Sequence, residues 1–586
     1  MICLQDCFTG VSKNATFMVA NLRAAFCRYL TVTILVLGVV ATTSVKSNTV
    51  VVENAAVSSR SMLASEAGVE AMRNGGNAVD AAVSTAFTLA VTYPSAGNLG
   101  GGGFAVIRMP DGKVFTNDHR ERAPKNATRD MFLDEAGEYV AERALRSHLA
   151  SGVPGSVAGL LAIHERFGVL SRESVVAPAI ELAREGFELP ADIARQFSSR
   201  HEWFQHIDST RKVFYKEDGS FYQAGELFKQ PDLAATLSRV SEQGRDGFYK
   251  GETADLIEAE MSRGGGLISK SDLEAYESVW REPIHGRYRG YDIHSMPPPS
   301  SGGVLVVQLL NMLEPFELGE LGFHTAPSMH LMIEAERRAY ADRALHLGDP
   351  DFYPVPLDTL LSKRYARSRI ENIGATATTS DDVDAGSIPK EPFETTHFSV
   401  IDADGMAVAF TTTINGGYGS GIIVEGAGFL LNNEMDDFSA KPGTPNMFGL
   451  IGGEANAIEP GKRMLSSMTP TIVSKGNRFI LITGSPGGST IITTTLQVIL
   501  NVIDHGFELE EAVNAPRFHH QWRPNSVRFE AGIEQDVIDE LSAMGHTDLN
   551  RLPERFAIGD ANSILKFRGS ITTTSDGRNE GGAVGF

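Results

Sequence analysis

The stretch Thr395-Thr396-His397-Phe398-Ser399-Val400-Ile401 decides the fold and the chemistry of this chain. It alternates, turns at Asp404-Gly405 and returns as Ala407-Val408-Ala409-Phe410, which predicts a half-buried β-hairpin. The residues upstream, 374–394, are polar and rich in Thr, Ser, Asp and Pro. A linker that runs straight into a core strand, with Thr at the junction, predicts a cleavage site that creates a new N-terminus. A threonine with a free α-amine supplies nucleophile and base in one residue, whereas the alternative is a threonine that merely begins a strand.

Composition describes a globular protein whose partner is not a nucleic acid. The chain has 586 residues, 42% of them hydrophobic and 21% charged, and a formal charge of −21. Because binding to phosphates needs clustered Lys and Arg, this charge argues against a nucleic-acid partner.

The N-terminus predicts export from the cytoplasm. An apolar run, residues 29–41, follows Arg23 and Arg28 and ends in small residues, so residues 1–41 are expected to form a signal peptide cut after Ala41. The alternative is an uncleaved membrane anchor. The predicted destination is the bacterial periplasm. All cysteines (Cys3, Cys7 and Cys27) lie in this segment, so the mature chain would contain neither a Cys nucleophile nor a thiolate metal site.

The rest of the chain reads as one body with helices mainly before Thr395 and strands mainly after it. Helices are predicted over residues 61–74, 78–91, 157–167, 174–185, 304–313, 329–347, 491–503 and 537–544. A strand is expected at Phe429-Leu430-Leu431. The glycines of Gly97–Gly103 precede a strand instead of following one, which disfavours a nucleotide loop and favours close approach of backbone to backbone or to a ligand.

Six motifs in order along the chain resemble the γ-glutamyltransferase family of N-terminal nucleophile hydrolases. The resemblance runs from about Ala64 to Phe586, and its joint occurrence is specific where any single motif is not. The motifs are Gly75–Ala82, Ala96–Phe104, Met296–Gly303, Thr395-Thr396-His397, Leu465–Met468 and Gly484–Gly488.

The resemblance implies an α+β fold, a four-layer αββα sandwich built from two interleaved subunits. The precursor would cut itself between Glu394 and Thr395 into a large subunit, residues 42–394, and a small subunit, residues 395–586, that remain together as a heterodimer. No cofactor is implied. The expected activity takes the γ-glutamyl group from glutathione or related compounds and passes it to water, amino acids or peptides.

Site residues follow from the same resemblance. Thr395 would form a γ-glutamyl ester, Thr413 would orient it, and the backbone N–H groups of Gly487 and Gly488 would form the oxyanion hole. The α-carboxylate of the substrate would bind Arg120, with the hydroxyl groups of Ser466 and Ser467 as helpers. The residues expected to hold the α-ammonium are Asn415, Glu434 and Asp437. Some family members have Gln where Glu434 stands. Taken singly, Arg120 is equally compatible with a surface ion pair, and the two serines with a turn.

Residues 438–449 match a lid that some family members lack. This chain has Phe448 where Tyr is usual in bacterial members. The expected consequence is the loss of one hydrogen bond at the lid tip and a shifted balance between water and acceptor.

Two other functions stay open from the sequence, a cephalosporin or glutaryl acylase of the same superfamily and a secreted binding protein that never matures. A catalytic metal is not expected, since neither His519-His520 nor the set His201, Glu202 and His206 has H-E-x-x-H spacing. A serine esterase is not expected either, because the chain has no G-x-S-x-G elbow.

Overall fold

The computed structural model describes residues 48–383, 395–476, 478–554 and 556–586. The predicted signal segment, and Glu394 of the predicted cleavage site, lie outside these residues. The strands are β1 Thr49–Val52, β2 Ala56–Ser59, β3 Gly102–Arg108, β4 Val114–His119, β5 Phe187–Glu188, β6 Leu227–Phe228, β7 Val279–Arg281, β8 Ile284–Tyr288, β9 Tyr291–Ser295, β10 Thr396–Ile401, β11 Ala407–Thr413, β12 Thr471–Lys475, β13 Arg478–Thr483, β14 Phe518–His519, β15 Val527–Phe529, β16 Leu549–Arg551, β17 Ser563–Phe567, β18 Ser570–Thr574 and β19 Gly582–Gly585.

Two large antiparallel sheets dominate the described chain. One has the order β19-β2-β10-β11-β3-β4-β7 and the other the order β1-β18-β17-β13-β12-β9-β8. The predicted hairpin is the centre of the first sheet, where β10 pairs with β11 in the register Thr396↔Thr412 through Ile401↔Ala407. Each sheet combines strands from before and after Thr395, so the two predicted subunits would be interleaved.

The longer helices of the described chain include all eight that the sequence predicted and four that it did not. They are α1 Met62–Arg73, α2 Ala78–Thr92, α3 Ser156–Phe167, α4 Arg172–Glu185, α5 Ala191–Ser199, α6 Pro231–Gln243, α7 Gly251–Gly264, α8 Gly302–Leu313, α9 Ala326–His346, α10 Lys363–Ile370, α11 Thr490–Ile503 and α12 Gln535–Ala543. Shorter helical segments are Ala141–Leu145, His201–Phe204, Asp208–Phe214, Asp246–Tyr249, Lys270–Glu274, Leu318–Leu321, Leu357–Leu360 and Leu509–Asn514. Within the described ranges, no helix combines the length and the apolar character needed to cross a bilayer.

The three largest clusters of buried apolar side chains follow the layers of the fold. The middle core lies between the two sheets and joins residues such as Val106 and Ile401 of one sheet to Ile472 and Ile564 of the other. A second core packs α2 and its neighbours on the β10–β11 sheet, and a third packs α8, α9 and α11 on the other sheet. The order of layers is helix, sheet, sheet, helix, as the α+β prediction required.

The structure explains two of the glycine-containing motifs of the sequence. Asn77 caps α2 by accepting from the N–H groups of Val79 and Asp80, while the Asp80 side chain accepts from the Asn77 N–H, a complete capping box. A Cβ added to Gly101 would lie 2.0 Å from the Thr413 carbonyl oxygen. The prediction of close backbone approach is therefore confirmed. The strand predicted at Phe429-Leu430-Leu431 is wrong, because Leu430 forms only an isolated bridge with Ile423 inside a turn-rich loop.

Candidate active site

Thr395 and Thr413 lie side by side because they end the two strands of the central hairpin. Thr396 lies opposite Thr412 in this hairpin. The next residues outward, Thr395 and Thr413, therefore face each other at its end. Their Oγ1 atoms are 3.3 Å apart, and the side chains are buried. The backbone N–H of Asn415 donates to the Thr413 Oγ1 over 2.8 Å. The Thr413 hydroxyl is thus held where it is able to donate to the Thr395 oxygen.

The loop Asn98–Gly101, which precedes β3, is hydrogen-bonded to the strand end that carries Thr413. The Asn98 amide donates to the Thr413 carbonyl over 2.9 Å and to the Thr412 Oγ1 over 3.0 Å. The Gly101 N–H donates to the Asn98 Oδ1 over 2.9 Å. Since a side chain at Gly101 would collide with Thr413, the glycines allow this loop to touch the strand that carries the site.

Gly487 and Gly488 lie at the beginning of α11 with backbone conformations that L side chains rarely adopt. Their φ angles are +130° and +53°, and a Cβ on Gly487 would approach the Thr490 Oγ1 to 2.2 Å. The helix that follows runs for 14 residues and is largely buried. Its N-terminal dipole favours negative charge at this point, which suits the oxyanion of a tetrahedral intermediate.

Arg120 is buried among three carboxylates. Its guanidinium makes ion pairs with Glu434 and with Asp437, and its Nη1 lies 3.6 Å from the Glu121 Oε2. The Arg120 Nε also donates to the Met464 carbonyl over 3.2 Å. A planar cation thus stands beside an excess of acidic groups, in a space that Thr395 and Thr413 also face.

Burial and mutual interaction shift the pKa values of this cluster. Burial alone would lower the pKa of Arg120, but the charges of Glu434, Asp437 and Glu121 outweigh it and raise that pKa. Burial raises the pKa of Glu434 well above its usual range, although Arg120 opposes the shift. Burial also raises the pKa of Asp437 against Arg120, and that of Glu121 to about 7. An added ammonium group would therefore favour ionisation of these carboxyls.

The proline-rich stretch Met296–Gly303 holds Ser466, and Arg343 contacts Ser467. The Ser466 N–H donates to the Pro299 carbonyl and the Ser301 N–H to the Ser466 carbonyl, both over 2.8 Å. Arg343 of α9 reaches the Ser467 Oγ over 3.3 Å. Burial lowers the pKa of Arg343 to about 10.

Two cavities meet at Thr395 and Phe448. The smaller, the acyl pocket, measures about 20 Å³, and the larger, the wide cleft, about 630 Å³. Thr395 and Phe448 line both, while Gly487 lies on the wide cleft only. The acyl pocket is lined by Arg120, Thr395, Thr413, Asn415, Glu434, Asp437, Phe448, Ser466, Ser467, Met468, Gly488 and Ile491. The residues predicted from the sequence, with the exceptions of Gly487 and of Glu394, are thereby brought together in one pocket.

Comparison with known proteins gives the family. The model of the gamma-glutamyltranspeptidase family matches residues 64–586. The chain belongs to this family. The match confirms the resemblance that the motifs indicated.

Curated relatives of this γ-glutamyltranspeptidase family member carry two kinds of name. The chain is 49% identical over 514 residues to a glutathione hydrolase proenzyme of Escherichia coli, covering 87% of each chain. It is 45% identical over 515 residues to one from Pseudomonas aeruginosa, covering 87% of this chain and 90% of the relative. An acylase ACY 1 proenzyme of Pseudomonas sp. (strain SE83) is 37% identical over 494 residues, at 83% and 85% coverage. The acylases are thus the more distant relatives.

Solved structures agree with the fold. A cephalosporin acylase from Bacillus halodurans superposes with a TM-score of 0.82 at 28% identity, covering 92% of this chain and 97% of that one. A γ-glutamyltranspeptidase from Helicobacter pylori gives a TM-score of 0.54 at 44% identity, over 55% of this chain and 93% of that one. Both the α+β class and the N-terminal nucleophile hydrolase prediction are confirmed.

Several residues beside the acyl pocket escaped sequence reasoning. The sequence did not indicate Glu121 as a site residue, because it follows Arg120 directly and no motif of its own marks it. Arg343 lies within a long helix, and Asn446 lies in the lid, where its amide donates to the Asp437 Oδ1 over 2.8 Å. The histidines considered for a metal have other partners, since His519 bonds Thr493 and Gln521, and His201 bonds Tyr215.

Proposed function

We propose that this chain is a precursor that cuts itself between Glu394 and Thr395 and then acts as a γ-glutamyltransferase and glutathione hydrolase. The proposed products are a large subunit, residues 42–394, and a small subunit, residues 395–586, that stay associated. The observation that carries the proposal is the buried cluster of Arg120, Glu434 and Asp437 next to the Thr395–Thr413 pair. The names of the relatives at 45–49% identity, which are proenzymes, support the self-cleavage.

In the first half-reaction the Thr395 Oγ1 would attack the γ-amide carbon of the donor. The free α-amine of Thr395, with an ordinary pKa of about 7.7–8.0, would take the hydroxyl proton and pass it to the leaving nitrogen as the C–N bond breaks. The N–H groups of Gly487 and Gly488 would hold the negative charge on the carbonyl oxygen. The products are a γ-glutamyl ester on Thr395 and the free amine.

In the second half-reaction water or the amine of an acceptor would attack the ester carbon. The α-amine of Thr395 would again take the proton of the nucleophile, and the Thr395 oxygen would leave with a proton. Hydrolysis gives glutamate, and transfer gives a new γ-glutamyl amide. Both the released amine and the acceptor would use the wide cleft, since Thr395 opens onto it.

The glutamyl group is favoured over a glutaryl or cephalosporin side chain by charge. Glu434 and Asp437 outnumber the single Arg120 that they pair with, and the α-ammonium of a glutamyl group would cancel the negative charge that its α-carboxylate brings into this cluster. A glutaryl group carries a carboxylate but no ammonium, so it would leave the acidic side chains uncompensated in a buried site. The lower identity to the acylase relative, 37%, agrees with this choice.

The test compares γ-glutamyl-p-nitroanilide with glutaryl-p-nitroanilide on purified protein. We expect strong preference for the γ-glutamyl compound, because only that compound supplies an ammonium to Glu434 and Asp437. Preference for the glutaryl compound would instead identify an acylase. N-terminal sequencing of the purified fragments tests the cleavage at Thr395 and the removal of residues 1–41 together. A fragment that begins after Ala41 would support export to the periplasm, and an intact N-terminus a membrane anchor.

A further inference from the structure

Hydrogen bonds join the tip of the lid, residues 438–449, to residues outside the lid. The Met447 N–H donates to the Asp436 Oδ2 over 2.9 Å, and the Asn446 amide donates to the Asp437 Oδ1 over 2.8 Å. The Phe448 carbonyl accepts from the Gln521 Nε2 over 3.1 Å. This last bond crosses from the lid to a different part of the small-subunit sequence.

The direction of each bond around Gln521 follows from the Phe448 carbonyl. That carbonyl only accepts, so the Gln521 nitrogen faces it and the Gln521 Oε1 faces the His519 Nε2, at 2.9 Å. The His519 Nε2 must then carry the proton, which leaves Nδ1 of a neutral ring as an acceptor for the Thr493 hydroxyl at 2.8 Å. Burial lowers the pKa of His519 well below its usual range, in agreement with a neutral ring.

The resulting chain connects the oxyanion end of the site to the lid. Thr493 lies in the first turn of α11, which begins two residues after Gly488. Thr493, His519 and Gln521 are all buried. Phe448, at the far end, lines both the acyl pocket and the wide cleft.

We propose that Gln521 is a positioning residue that keeps the lid tip closed, through its hydrogen bond to the Phe448 carbonyl in the chain Thr493–His519–Gln521. The proposal rests on the proposed function and adds to it a determinant of how the ester is resolved. A lid held at its backbone excludes water from the acyl pocket, whatever side chain stands at position 448. Gln521 thereby favours transfer to an amine over hydrolysis.

The experiment measures the ratio of transfer to hydrolysis with γ-glutamyl-p-nitroanilide as donor and glycylglycine as acceptor. In Gln521→Leu we expect this ratio to fall about three- to tenfold, as loss of the net contribution of one hydrogen bond predicts. The donor KM should stay unchanged, because the groups that bind the glutamyl moiety are intact. The ratio is measured after the wild-type protein has released p-nitroaniline, so failure of the proposed function is a separate result.

A second variant, Gln521→Glu, distinguishes positioning from mere packing. An ionised Glu accepts from His519 but repels the Phe448 carbonyl, whereas a protonated Glu donates to it. The charged or titratable groups around position 521 are His519 on the same segment, Arg528, Arg578 and Asp560 along the cleft, and Glu336 and Tyr340 of α9. Relative to wild type at each pH, the ratio of Gln521→Glu should recover as the pH falls, while that of Gln521→Leu should not.

Gln230→Leu is the matched control. Gln230 is buried to the same extent, 5% exposed, and its amide also donates to a backbone carbonyl, that of Val91, over 2.9 Å. This variant should show the wild-type ratio. Cleavage into two bands on a denaturing gel verifies that each variant folds. The proposal is overturned if a processed Gln521→Leu keeps the wild-type ratio, if Gln230→Leu shifts the ratio equally, or if Gln521→Glu does not recover in acid.

Discussion

The two cavities that meet at Thr395 differ in size and in charge. The acyl pocket has a volume of about 20 Å³ and holds Arg120 against Glu434 and Asp437. The wide cleft has about 630 Å³, and two of the four arginines that line it, Arg60 and Arg578, already pair with the carboxylates of Asp560 and Glu530. Under the proposed function, the acyl pocket would select by buried, paired charge, and the wide cleft would offer open space to the amine. We expect strict recognition of the glutamyl group and broad tolerance for the amine.

Substitution of Thr395, at the junction of the two cavities, is expected to have the largest effect. Thr395→Ala removes the nucleophile of both self-cleavage and acyl transfer, so the protein should run as one band on a denaturing gel and lose activity by several orders of magnitude. Thr471→Ala serves as control, since Thr471 is a buried strand threonine whose hydroxyl bonds the Thr469 carbonyl and the Ser295 hydroxyl. It should still give two bands. Two bands from Thr395→Ala would contradict the proposed cleavage.

Arg120→Lys tests the role of paired charge in the acyl pocket. Lysine lacks the planar fork that reaches two carboxylates at once, and we expect kcat/KM for the γ-glutamyl donor to fall about 100-fold or more, as for a broken buried ion pair. The counterpart in the wide cleft is Arg551→Lys, an exposed side chain, for which about threefold or less is expected. Equal losses in the two variants would refute the division into a selective and a permissive side.

Gly488→Ala tests the oxyanion hole between the two cavities. At a φ of +53° alanine strains the backbone and displaces the N–H donor, and we expect kcat to fall about 10²-fold with little change in KM. Gly265→Ala is matched for backbone conformation, with a φ of +73° and no atom within 4 Å of an added Cβ. It should lower only the melting temperature. A similar loss of kcat in both variants would indicate general destabilisation.

Lowering the pH should weaken recognition on the acyl side alone. Burial raises the pKa of Glu121 to about 7 and that of Glu434 above its usual range. Glu121 gains a proton as the pH falls through about 7, and the pocket then attracts an α-ammonium less strongly. The ratio of kcat/KM for γ-glutamyl- over glutaryl-p-nitroanilide should therefore decrease below about pH 7. The base that both substrates share cancels in this ratio, and a constant ratio would contradict the charge argument.

Phe448→Tyr is expected to have the smallest effect. It tests the role of the side chain at position 448, where the two cavities meet. Phe448 is 6% exposed, and an added hydroxyl would give the lid tip one more hydrogen bond. The ratio of transfer to hydrolysis should change about two- to fivefold. Phe567→Tyr, at a surface position that is 55% exposed, should leave it unchanged. An unchanged ratio in Phe448→Tyr would remove this residue from the account.

Local signals in the sequence determined the central hairpin, the capped helix after Asn77, and Thr395 at the end of a linker. These features depend on periodicity, capping and turn chemistry between residues close in the chain. The expected strand at Phe429-Leu430-Leu431 failed because its apolar side chains serve a loop packed in the core instead of a sheet. A short apolar run has no local property that separates these outcomes.

Only the tertiary structure decided what surrounds Thr395. Arg120 and Glu434 are 314 residues apart in the chain, and Gln521 reaches Phe448 across 73 residues. The family resemblance supplied the positions of the acyl pocket, but the pairing of Arg120 with Glu434 and Asp437, the approach of Arg343 to Ser467, and the bond from Gln521 to the lid have no local signature. The sequence alone thus predicts the nucleophile. Its electrostatic surroundings exist only once burial removes these distant charges from water and brings them into contact.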